Sequence, residues 1–265
     1  MTPPLFRADD LPDVGGTVVL DGPEGRHAGS ALRVRPGEDV RIGDGRGAVA
    51  DCEVTAAEPG RVEARVVALH RVPRPTPTVT VVQALPKSER SELAVELATE
   101  AGADRIVPWQ AARCVSRWTG PKVAKGRAKW ANAARAAAKQ SRRAWEPEIA
   151  DPVDSAGLAV LAAAEVAKGS LVMVLHEEGS VPLAHAVAAA PTAERVLLVV
   201  GPEGGVSDEE LAALAAAGAR AVVLGPEVLR TSTAAAVALG ALGVLTPRWS
   251  GAPTTLGPTA PSPRK

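Results

Sequence analysis

The stretch LLVVGPEGGVSDEE, residues 197–210, passes from an apolar run through a turn into the start of a helix. Its proline presets φ for a tight turn, and its paired glycines permit positive φ. Ser207 and Glu210 have the spacing of a capping box, in which the cap alone stabilises a helix by about 1 kcal/mol. The sequence therefore predicts a strand, a tight turn and a capped helix in immediate succession.

A second Gly-Pro-Glu, at residues 225–227, also follows an apolar run and precedes a helical pattern. Turn and cap formation do not require this repetition, so the two loops are either plain connections or ligand loops. Arg230, just beyond the second one, lies at a predicted helix N-terminus, where its charge opposes the helix dipole. This arginine either forms an ion pair or meets an anionic or electron-rich ligand.

The surrounding residues alternate between apolar runs and helical patterns, which indicates an α/β domain with a mostly parallel sheet. The predicted strands are Val79–Leu85, Arg105–Trp109, Leu171–Leu175, Val196–Val200 and Ala221–Leu224. The predicted helices are Ser88–Ala101, Arg127–Trp145, Asp208–Ala217 and Thr231–Leu245. Ligands of such sheets bind outside the carboxyl ends of the strands. The candidate site is therefore formed by the loops after Leu175, Val200 and Leu224, which contain neither a Walker A sequence nor a dinucleotide fingerprint.

The first 73 residues have a different pattern, in which short alternating strands are separated by turns. Asp44-Gly45 predicts a hairpin, and the region as a whole predicts a small β-barrel. The prolines at 73, 75 and 77 indicate a stiff connector. We therefore expect one domain over residues 1–73, a second over 74–250, and a disordered tail, rich in proline and threonine, over 251–265.

The bulk composition limits the class of protein. Apolar residues make up 46% of the chain and charged residues 23%, as in ordinary globular proteins. Because the apolar runs are too short to cross a membrane and the N-terminus lacks the pattern of a secretory signal, a cytoplasmic protein is expected. Neither the 2 cysteines nor the 4 histidines have metal-ligand spacing, so no metal is expected.

The formal net charge is zero, but residues 113–143 carry basic side chains and no acidic one. Within this segment, a helix would place four cations on one face: Arg135, Lys139, Arg142 and Arg143. A face of one sign attracts a polyanion, so we interpret it as a phosphate-binding surface, with a solvated surface as the alternative.

Four stretches, in order, resemble the bacterial small-subunit ribosomal RNA uridine N3-methyltransferases, the E family of these enzymes within the SPOUT superfamily. In the first stretch, the resemblance is carried by His27, Leu32-Arg33 and Asp44-Gly45. The stretches are HAGSALRVRPGEDVRIGDGRG (27–47), PKSERSELAVELATEAGADRIVPWQAARCV (86–115), LLVVGPEGGVSDEE (197–210) and LGPEVLRTSTAA (224–235). The resemblance extends over about residues 1–246.

The resemblance implies a PUA-like β-barrel, a SPOUT domain whose C-terminal segment forms a deep trefoil knot, and an obligate homodimer. It also implies S-adenosylmethionine as the cofactor, bound in the knot by the three candidate loops. The implied cofactor contacts are Leu175, His176, Gly201, Gly204, Gly205, Leu224, Gly225, Leu229, Arg230 and Thr233. Ser232 departs from the family, because many members have glutamate there, and no catalytic role is assigned to it.

The implied activity is methylation of the N3 of a specific uridine in the 16S ribosomal RNA of the small subunit. Arg230 is the candidate catalytic residue, since a fixed donor can stabilise charge that develops on the uracil carbonyls. The residue that removes the N3 proton stays open among His176, Glu177, Glu178 and Glu203. The candidate RNA-phosphate contacts are Arg7, Arg26, Arg33, Arg135, Lys139, Arg142 and Arg143.

Two other functions are compatible with parts of the sequence. One is a SPOUT methyltransferase that acts on transfer RNA or on a ribose 2′-hydroxyl, which the N-terminal barrel makes less favourable. The other is a non-catalytic RNA-binding or ribosome-assembly factor. The single phenylalanine and the absence of tyrosine leave little aromatic surface for base stacking, which weakens this second option.

Overall fold

The computed structural model describes residues 3–87 and 90–250. The tail predicted at 251–265 lies outside these described residues. The described chain divides into two compact units, one made of residues 3–74 and 138–146 and the other of residues from 75–137 and 147–250. The domain boundary predicted between residues 73 and 74 stays a prediction, and the sequence pattern gave no indication that 138–146 groups with the N-terminal residues.

The N-terminal unit contains a five-stranded mixed sheet with the strand order β1-β3-β4-β5-β2. The strands are β1 Leu5–Arg7, β2 Thr17–Leu20, β3 Asp39–Gly43, β4 Ala48–Glu58 and β5 Arg61–Arg71. A short helix, α1 (Gly22–Gly25), continues into a π-helical turn at Arg26–Ala31. β1 and β3 are parallel and the other neighbours antiparallel. The predicted closure of these strands into a barrel stays a prediction.

The hairpin predicted at Asp44-Gly45 is confirmed. β3 and β4 pair in antiparallel fashion up to Gly43 and Val49. The Asp44 carboxylate accepts hydrogen bonds from the backbone N–H groups of Arg46, at 2.6 Å, and Ala48, at 2.9 Å. Gly45 has φ +70°, a conformation that favours glycine, so the turn depends on both residues of the pair.

Segment 138–146 packs against the N-terminal sheet. The Trp145 indole lies over Gly47, where a Cβ atom would collide with the ring, and its Nε1 donates to the Val72 carbonyl at 2.9 Å. Arg7 and Glu146 form an ion pair of 3.1 Å between Nε and Oε1, with the Arg7 side chain 9% exposed. This segment is therefore an integral part of the packing of the N-terminal unit.

The C-terminal unit is a parallel sheet with the order β11-β13-β10-β12-β6-β7-β8, in which β9 also pairs with β7. Its strands are β6 Thr78–Ala84, β7 Arg105–Gln110, β8 Glu148–Ile149, β9 Val153–Asp154, β10 Leu171–Leu175, β11 Val181–Pro182, β12 Arg195–Val200 and β13 Arg220–Val223. Its helices are α2 Ser91–Glu100, α3 Pro121–Gln140, α4 Ser155–Ala167, α5 Leu183–Ala188, α6 Asp208–Ala216 and α7 Thr231–Leu245, followed by a 3₁₀ turn at Pro247–Trp249. The central strands are buried on both faces, which is why they read as unbroken apolar runs.

Most predicted elements of this unit are confirmed within one or two residues, and α7 has the predicted bounds. The first residue predicted for α2, Ser88, lies outside the described residues, and α2 begins at Ser91. The prediction of Arg127–Trp145 for the basic helix is wrong at both ends. Pro121 suits a first helical turn, where its missing N–H is not needed. The helix stops at Gln140, and Arg142 adopts φ +58°, outside the helical region. No helix within residues 3–87 and 90–250 combines the length and apolarity needed to cross a bilayer.

Candidate functional site

Three neighbouring strands end together at one edge of the parallel sheet. Leu175, the last residue of β10, is opposite Val200 at the end of β12 and opposite Val222 in β13. Parallel strands all direct their carboxyl ends to the same edge, so the three loops that follow must meet there. The register thus confirms the convergence that the sequence predicted for these three loops.

The three loops line a cavity of about 450 Å³, within the range of small-molecule sites. Eight of the ten residues proposed as cofactor contacts line it: Leu175, His176, Gly201, Gly204, Gly205, Leu224, Gly225 and Leu229. Arg230 and Thr233 lie outside the lining, although their neighbours Thr231 and Ala234 contribute to it. The structure therefore brings most of the sequence-predicted set together on one cavity.

The first Gly-Pro-Glu loop, residues 201–207, is held by hydrogen bonds to other segments. The Glu203 carboxylate accepts from the Lys87 backbone N–H at 3.2 Å. Arg113 donates from Nη1 to the Gly204 carbonyl at 3.2 Å. Gly205 has φ +75°, the positive value that the sequence predicted for this turn. These contacts make the loop a fixed side of the cavity.

The capping box predicted after this loop is confirmed and extends further than the sequence indicated. Glu210 donates its backbone N–H to the Ser207 hydroxyl at 3.2 Å, and its Oε2 accepts the Ser207 N–H at 3.0 Å. Its other oxygen, Oε1, accepts the Ala112 N–H at 2.7 Å and the Ser155 hydroxyl. Glu210 is only 6% exposed, so one buried carboxylate joins three separate segments.

Two opposing effects set the acidity of Glu210. Burial raises the pKa of its carboxyl group, because a low-dielectric surrounding disfavours charge. Hydrogen bonds from Ser155, Ser207 and Ala112 stabilise the charged form and outweigh burial, so the pKa lies below its ordinary value. Glu210 is therefore a charged acceptor, which suits it to hold several N–H and O–H donors at once.

The second Gly-Pro-Glu loop, residues 224–230, is held differently. Among the described residues, none of 225–229 takes part in a hydrogen bond. The Arg230 carbonyl accepts the N–H groups of Thr233 and Ala234 at 2.9 and 3.0 Å, and the Thr233 hydroxyl at 3.1 Å, which starts α7. The Arg230 side chain is exposed, and no carboxylate within residues 3–87 and 90–250 pairs with it. The ion pair considered for Arg230 is therefore not formed among the described residues, and the ligand interpretation stays a prediction.

The third loop, after β10, follows the edge of the sheet. The His176 N–H donates to the Val222 carbonyl at 3.0 Å, and the ring Nδ1 accepts the Glu178 N–H at 3.2 Å. A Cβ on Gly179 would lie 2.7 Å from the backbone of Val222, so only glycine allows this close approach. The loop thereby presents His176 and the carboxylates beside it to the cavity.

The cavity lining is rich in acidic groups. The acidic side chains that line it are Glu177, Glu178, Glu203, Asp208 and Glu227. Arg113, in the segment after β7, is the arginine that lines it, and the sequence analysis did not place this residue at the site. Ligands of parallel sheets bind outside the carboxyl ends of the strands, and Arg113 lies just past the end of β7 at Gln110. This rule, applied to β7 as it was to the other three strands, would have predicted Arg113.

The residues predicted to contact RNA phosphates fall into two groups. Arg7 and Lys139 are engaged within the N-terminal unit: Arg7 pairs with Glu146, and the Lys139 ammonium lies 2.7 Å from Glu24. Arg143 is half-buried, and its carbonyl accepts from Arg7 at 2.8 Å. The exposed members of the set are Arg26, Arg33, Arg135 and Arg142.

The common cationic face predicted for the basic helix is wrong in two respects. Arg142 and Arg143 lie beyond the end of α3, so they cannot share its face. The segment lacks acids along the chain but not in space, because acids from elsewhere pair with its cations. These ion pairs are Arg127–Asp151 at 2.7 Å, Lys129–Glu92 at 3.6 Å and Lys139–Glu24 at 2.7 Å.

Comparison with protein families matches two parts of the chain. Residues 73–243 match the family described as "RNA methyltransferase domain", and residues 20–67 match "RNA methyltransferase PUA domain". The first match contains all three loops of the cavity. The second lies within the five-stranded sheet unit.

Individual relatives cover nearly the whole chain. A ribosomal RNA small subunit methyltransferase E of Mycobacterium bovis is 56% identical over 245 residues, which is 92% of this chain and 93% of the relative. The crystal structure of a ribosomal RNA small subunit methyltransferase E from Neisseria gonorrhoeae, bound to S-adenosylmethionine, has a TM-score of 0.81 at 26% identity and covers 92% of this chain and 98% of its own. A putative methyltransferase of Legionella pneumophila, also with bound cofactor, has a TM-score of 0.79 at 28% identity and covers 93% and 99%.

Proposed function

Because the chain belongs to the ribosomal RNA small subunit methyltransferase E family, we propose that it methylates the N3 of a specific uridine in 16S ribosomal RNA, with S-adenosylmethionine as the cofactor. The observation that carries this proposal is the convergence of three loops on one cavity, lined by eight residues that the resemblance assigns to the cofactor. The substrate is the RNA of the small ribosomal subunit, and the reaction takes place in the cytoplasm.

The cavity suits S-adenosylmethionine in size and charge. Its volume of about 450 Å³ accommodates a ligand of that class. The sulfonium and ammonium groups of the cofactor give it more positive than negative charge, and the five carboxylates of the lining provide the complementary field. A Cβ on Gly225 would meet nothing closer than 3.5 Å, and that atom is the flexible end of Glu227, so the second loop leaves room for a ligand.

When bound, the cofactor supplies an electrophilic methyl group, which the uracil N3 accepts as its proton leaves. The residues of this chain must therefore align the base, stabilise charge on its carbonyls and receive one proton. Arg230 provides the charge stabilisation in this proposal, which is supported by its exposed side chain and by its neighbours Leu229 and Thr231, both of which line the cavity. His176, Glu177, Glu178 and Glu203 all border the cavity and are the candidate proton acceptors.

Ser232 stands where many family members have glutamate, and its position is compatible with its having no catalytic role. It is 3% exposed and lies in the first turn of α7. The carboxylates on the three loops can take the proton instead.

Exposed cations supply the phosphate contacts. Arg26, Arg33, Arg135 and Arg142 retain the role that the sequence analysis gave them, because their side chains are exposed. Arg7 and Lys139 instead pair with acids of the N-terminal unit, and we assign them a structural role there.

We further propose the trefoil knot and the homodimer of the SPOUT superfamily. β13 lies on one side of β10 in the sheet, and β12 and β6 lie on the other. After β13 the chain crosses β10, because α7 packs against α2, β6 and β12. This path supports a threaded C-terminus.

The proposal of a homodimer is supported by α7, which exposes Val237 and Val244 on one helical face, at 47% and 77%. Exposed apolar side chains on one face mark a contact surface, and Val244→Asp should shift the mass in solution from dimer towards monomer.

Mass mapping of ribosomal RNA tests the proposed activity. Small ribosomal subunits from a strain without this enzyme, and separately naked 16S RNA, are incubated with the protein and S-adenosylmethionine. We expect one new methyl group, on the N3 of a uridine in the 16S RNA. A methyl group on a ribose 2′-oxygen, or methylation of transfer RNA alone, would support the alternative enzyme, and the absence of transfer with retained RNA binding would indicate a binding factor.

A further inference from the structure

The buried carboxylate of Glu210 joins the first Gly-Pro-Glu loop to the segment after β7. It accepts the Ala112 N–H at 2.7 Å through Oε1 and the Ser207 N–H at 3.0 Å through Oε2. Ser155, at the start of α4, donates its hydroxyl to Oε1 and also accepts the Trp109 Nε1–H at 3.4 Å. The end of β7 and the cofactor loop are thus held by one acceptor.

Arg113 follows Ala112 directly and lies at the cavity. Its Nη1 donates to the Gly204 carbonyl at 3.2 Å, and a Cβ on Gly204 would lie 3.1 Å from the Arg113 Cβ. Gly204 therefore lets the Arg113 side chain lie close along the loop. Arg113 remains exposed, so its other guanidinium donors are available at the rim.

From this geometry we infer that Glu210 is a positioning residue, which fixes Ala112 and so places the Arg113 guanidinium at the cavity rim to bind an RNA phosphate next to the target base. This inference rests on the proposed function for the identity of the RNA. Glu210 is not among the residues that line the cavity, and in this inference it acts through Arg113.

An RNA phosphate is the ligand that suits Arg113 best. The cavity lining repels phosphates through its five carboxylates, so a phosphate that delivers a base to the cavity needs a cation at the rim. Arg113 is also the first of a run of basic residues, and the exposed Arg117, Lys122 and Lys125 follow along the same stretch. A guanidinium forms two parallel hydrogen bonds with a phosphate, which fixes the direction of approach as well as the position.

A double-mutant cycle tests this inference with the full-length protein. Glu210→Gln keeps the side-chain shape but places an N–H donor where an acceptor is needed, and Arg113→Ala removes the cation. The controls are Glu96→Gln, an exposed acid of α2, and Arg220→Ala, an exposed arginine at the amino end of β13. Affinity for small ribosomal subunits that lack the methyl group is measured at several salt concentrations, and cofactor affinity by calorimetry.

We expect each of the two variants to bind subunits about tenfold more weakly, the loss of one charge-assisted contact. The double variant should be no weaker than Arg113→Ala, because Glu210 acts through Arg113. The slope of log affinity against log salt should fall by about one in all three variants, which a merely structural defect does not cause. The controls should match the unmodified protein, and cofactor affinity should stay within about twofold throughout.

Three results would overturn the inference: unchanged subunit binding by Arg113→Ala, additive losses in the double variant, or a loss of cofactor affinity in place of RNA affinity. The last result would move Arg113 to the carboxylate of the cofactor. If Glu210→Gln does not fold, Ser155→Ala removes one donor from the same carboxylate and replaces it in the cycle. The cycle measures binding and not methyl transfer, so the two proposals can fail independently. If the unmodified protein binds subunits but does not methylate them, the proposed function is refuted, and the binding data still decide the role of Glu210 and Arg113.

Discussion

The two Gly-Pro-Glu loops share a tripeptide and follow neighbouring ends of one sheet, yet they are held in different ways. The first, at 201–207, is joined to Lys87 and Arg113 by hydrogen bonds and ends in a complete capping box. The second, at 224–230, has no hydrogen bond from 225–229 among the described residues and precedes a helix without a side-chain cap. The first is therefore a fixed side of the cavity, and we propose that the second obtains its contacts from the cofactor.

Val228 illustrates this difference. It is 76% exposed, although it lies in a loop that lines the cavity, whereas Val206 in the first loop is 4% exposed. Segments with few buried contacts and few hydrogen bonds open at low free-energy cost. The comparison predicts that changes in the first loop act mainly on stability, and changes in the second mainly on activity.

Arg230→Ala should have the largest effect. Loss of a fixed donor to a developing charge typically lowers turnover by about 100- to 1000-fold, and we expect a loss of that size in methyl transfer. Stability should change by less than about 0.5 kcal/mol, because the side chain is exposed and unpaired among the described residues. Single-turnover methylation and urea unfolding measure the two quantities, and Arg220→Ala is the control. Near-normal turnover would remove Arg230 from the mechanism.

Glu210→Gln, unlike Arg230→Ala, should lower the free energy of unfolding. The substitution leaves buried N–H and O–H donors without their charged acceptor, at a cost of about 1 to 3 kcal/mol in the free energy of unfolding. Glu209→Gln, in the same turn but exposed, should cost less than about 0.5 kcal/mol. Equal stabilities of the two variants would show that the network at Glu210 contributes nothing to the fold.

The stability of the unmodified protein should depend on pH through Glu210. Its pKa in the folded state lies below the ordinary value of a glutamate side chain: burial raises it, but the hydrogen bonds from Ser155, Ser207 and Ala112 outweigh burial. The charged carboxylate therefore stabilises the fold at pH values above the unfolded pKa, and this contribution is lost as the pH falls through the lower folded pKa. Urea unfolding at decreasing pH should show the unmodified protein converging towards Glu210→Gln. A constant difference between the two down to acid pH would contradict this.

A pair of glycine substitutions gives the smallest contrast. Gly205 has φ +75°, so Gly205→Ala should cost about 1 to 2 kcal/mol of stability through backbone strain. Gly225 lacks positive φ, and a Cβ there would meet only the flexible end of Glu227, at an ordinary contact distance of 3.5 Å, so Gly225→Ala should leave thermal unfolding nearly unchanged. The added methyl group at Gly225 should instead weaken cofactor affinity, as measured by calorimetry. A loss of stability at Gly225 equal to that at Gly205 would remove the distinction between the loops.

Local patterns carried most of the fold prediction. The first loop and its capping box follow from five residues within a short stretch, and α7 follows from the helical pattern after Arg230. The sequence pattern predicted no element at α4, Ser155–Ala167, because this alanine-rich stretch has little contrast between its faces. It also misplaced the end of α3, where packing of Trp145 against Gly47 and Val72 in the N-terminal unit overrides helix propensity.

The site was predictable as far as it depends on strand ends. The resemblance implied the glycines and leucines that follow these apolar runs as cofactor contacts, and the structure places them on one cavity. Arg113, just past the end of β7, could have been predicted by the same rule. The outer contacts of Glu210 could not, because Ala112, Ser155 and Glu210 are far apart in sequence and meet only through the strand order. The ion-pair partners of Arg7 and Lys139 could not be predicted for the same reason, because the order of charged residues in the sequence does not show which of them pair in the folded protein.

The central claim is that the cofactor binds between a first loop, 201–207, that is already fixed and a second loop, 224–230, that becomes ordered when the cofactor binds. Amide hydrogen exchange with and without S-adenosylmethionine tests this claim most directly. The account predicts fast exchange at 225–230 in the free protein and strong new protection there when the cofactor is added. Residues 201–207 should be protected already and change little. Unaltered exchange at 225–230 under cofactor saturation, or new protection confined to another part of the chain, would contradict the account.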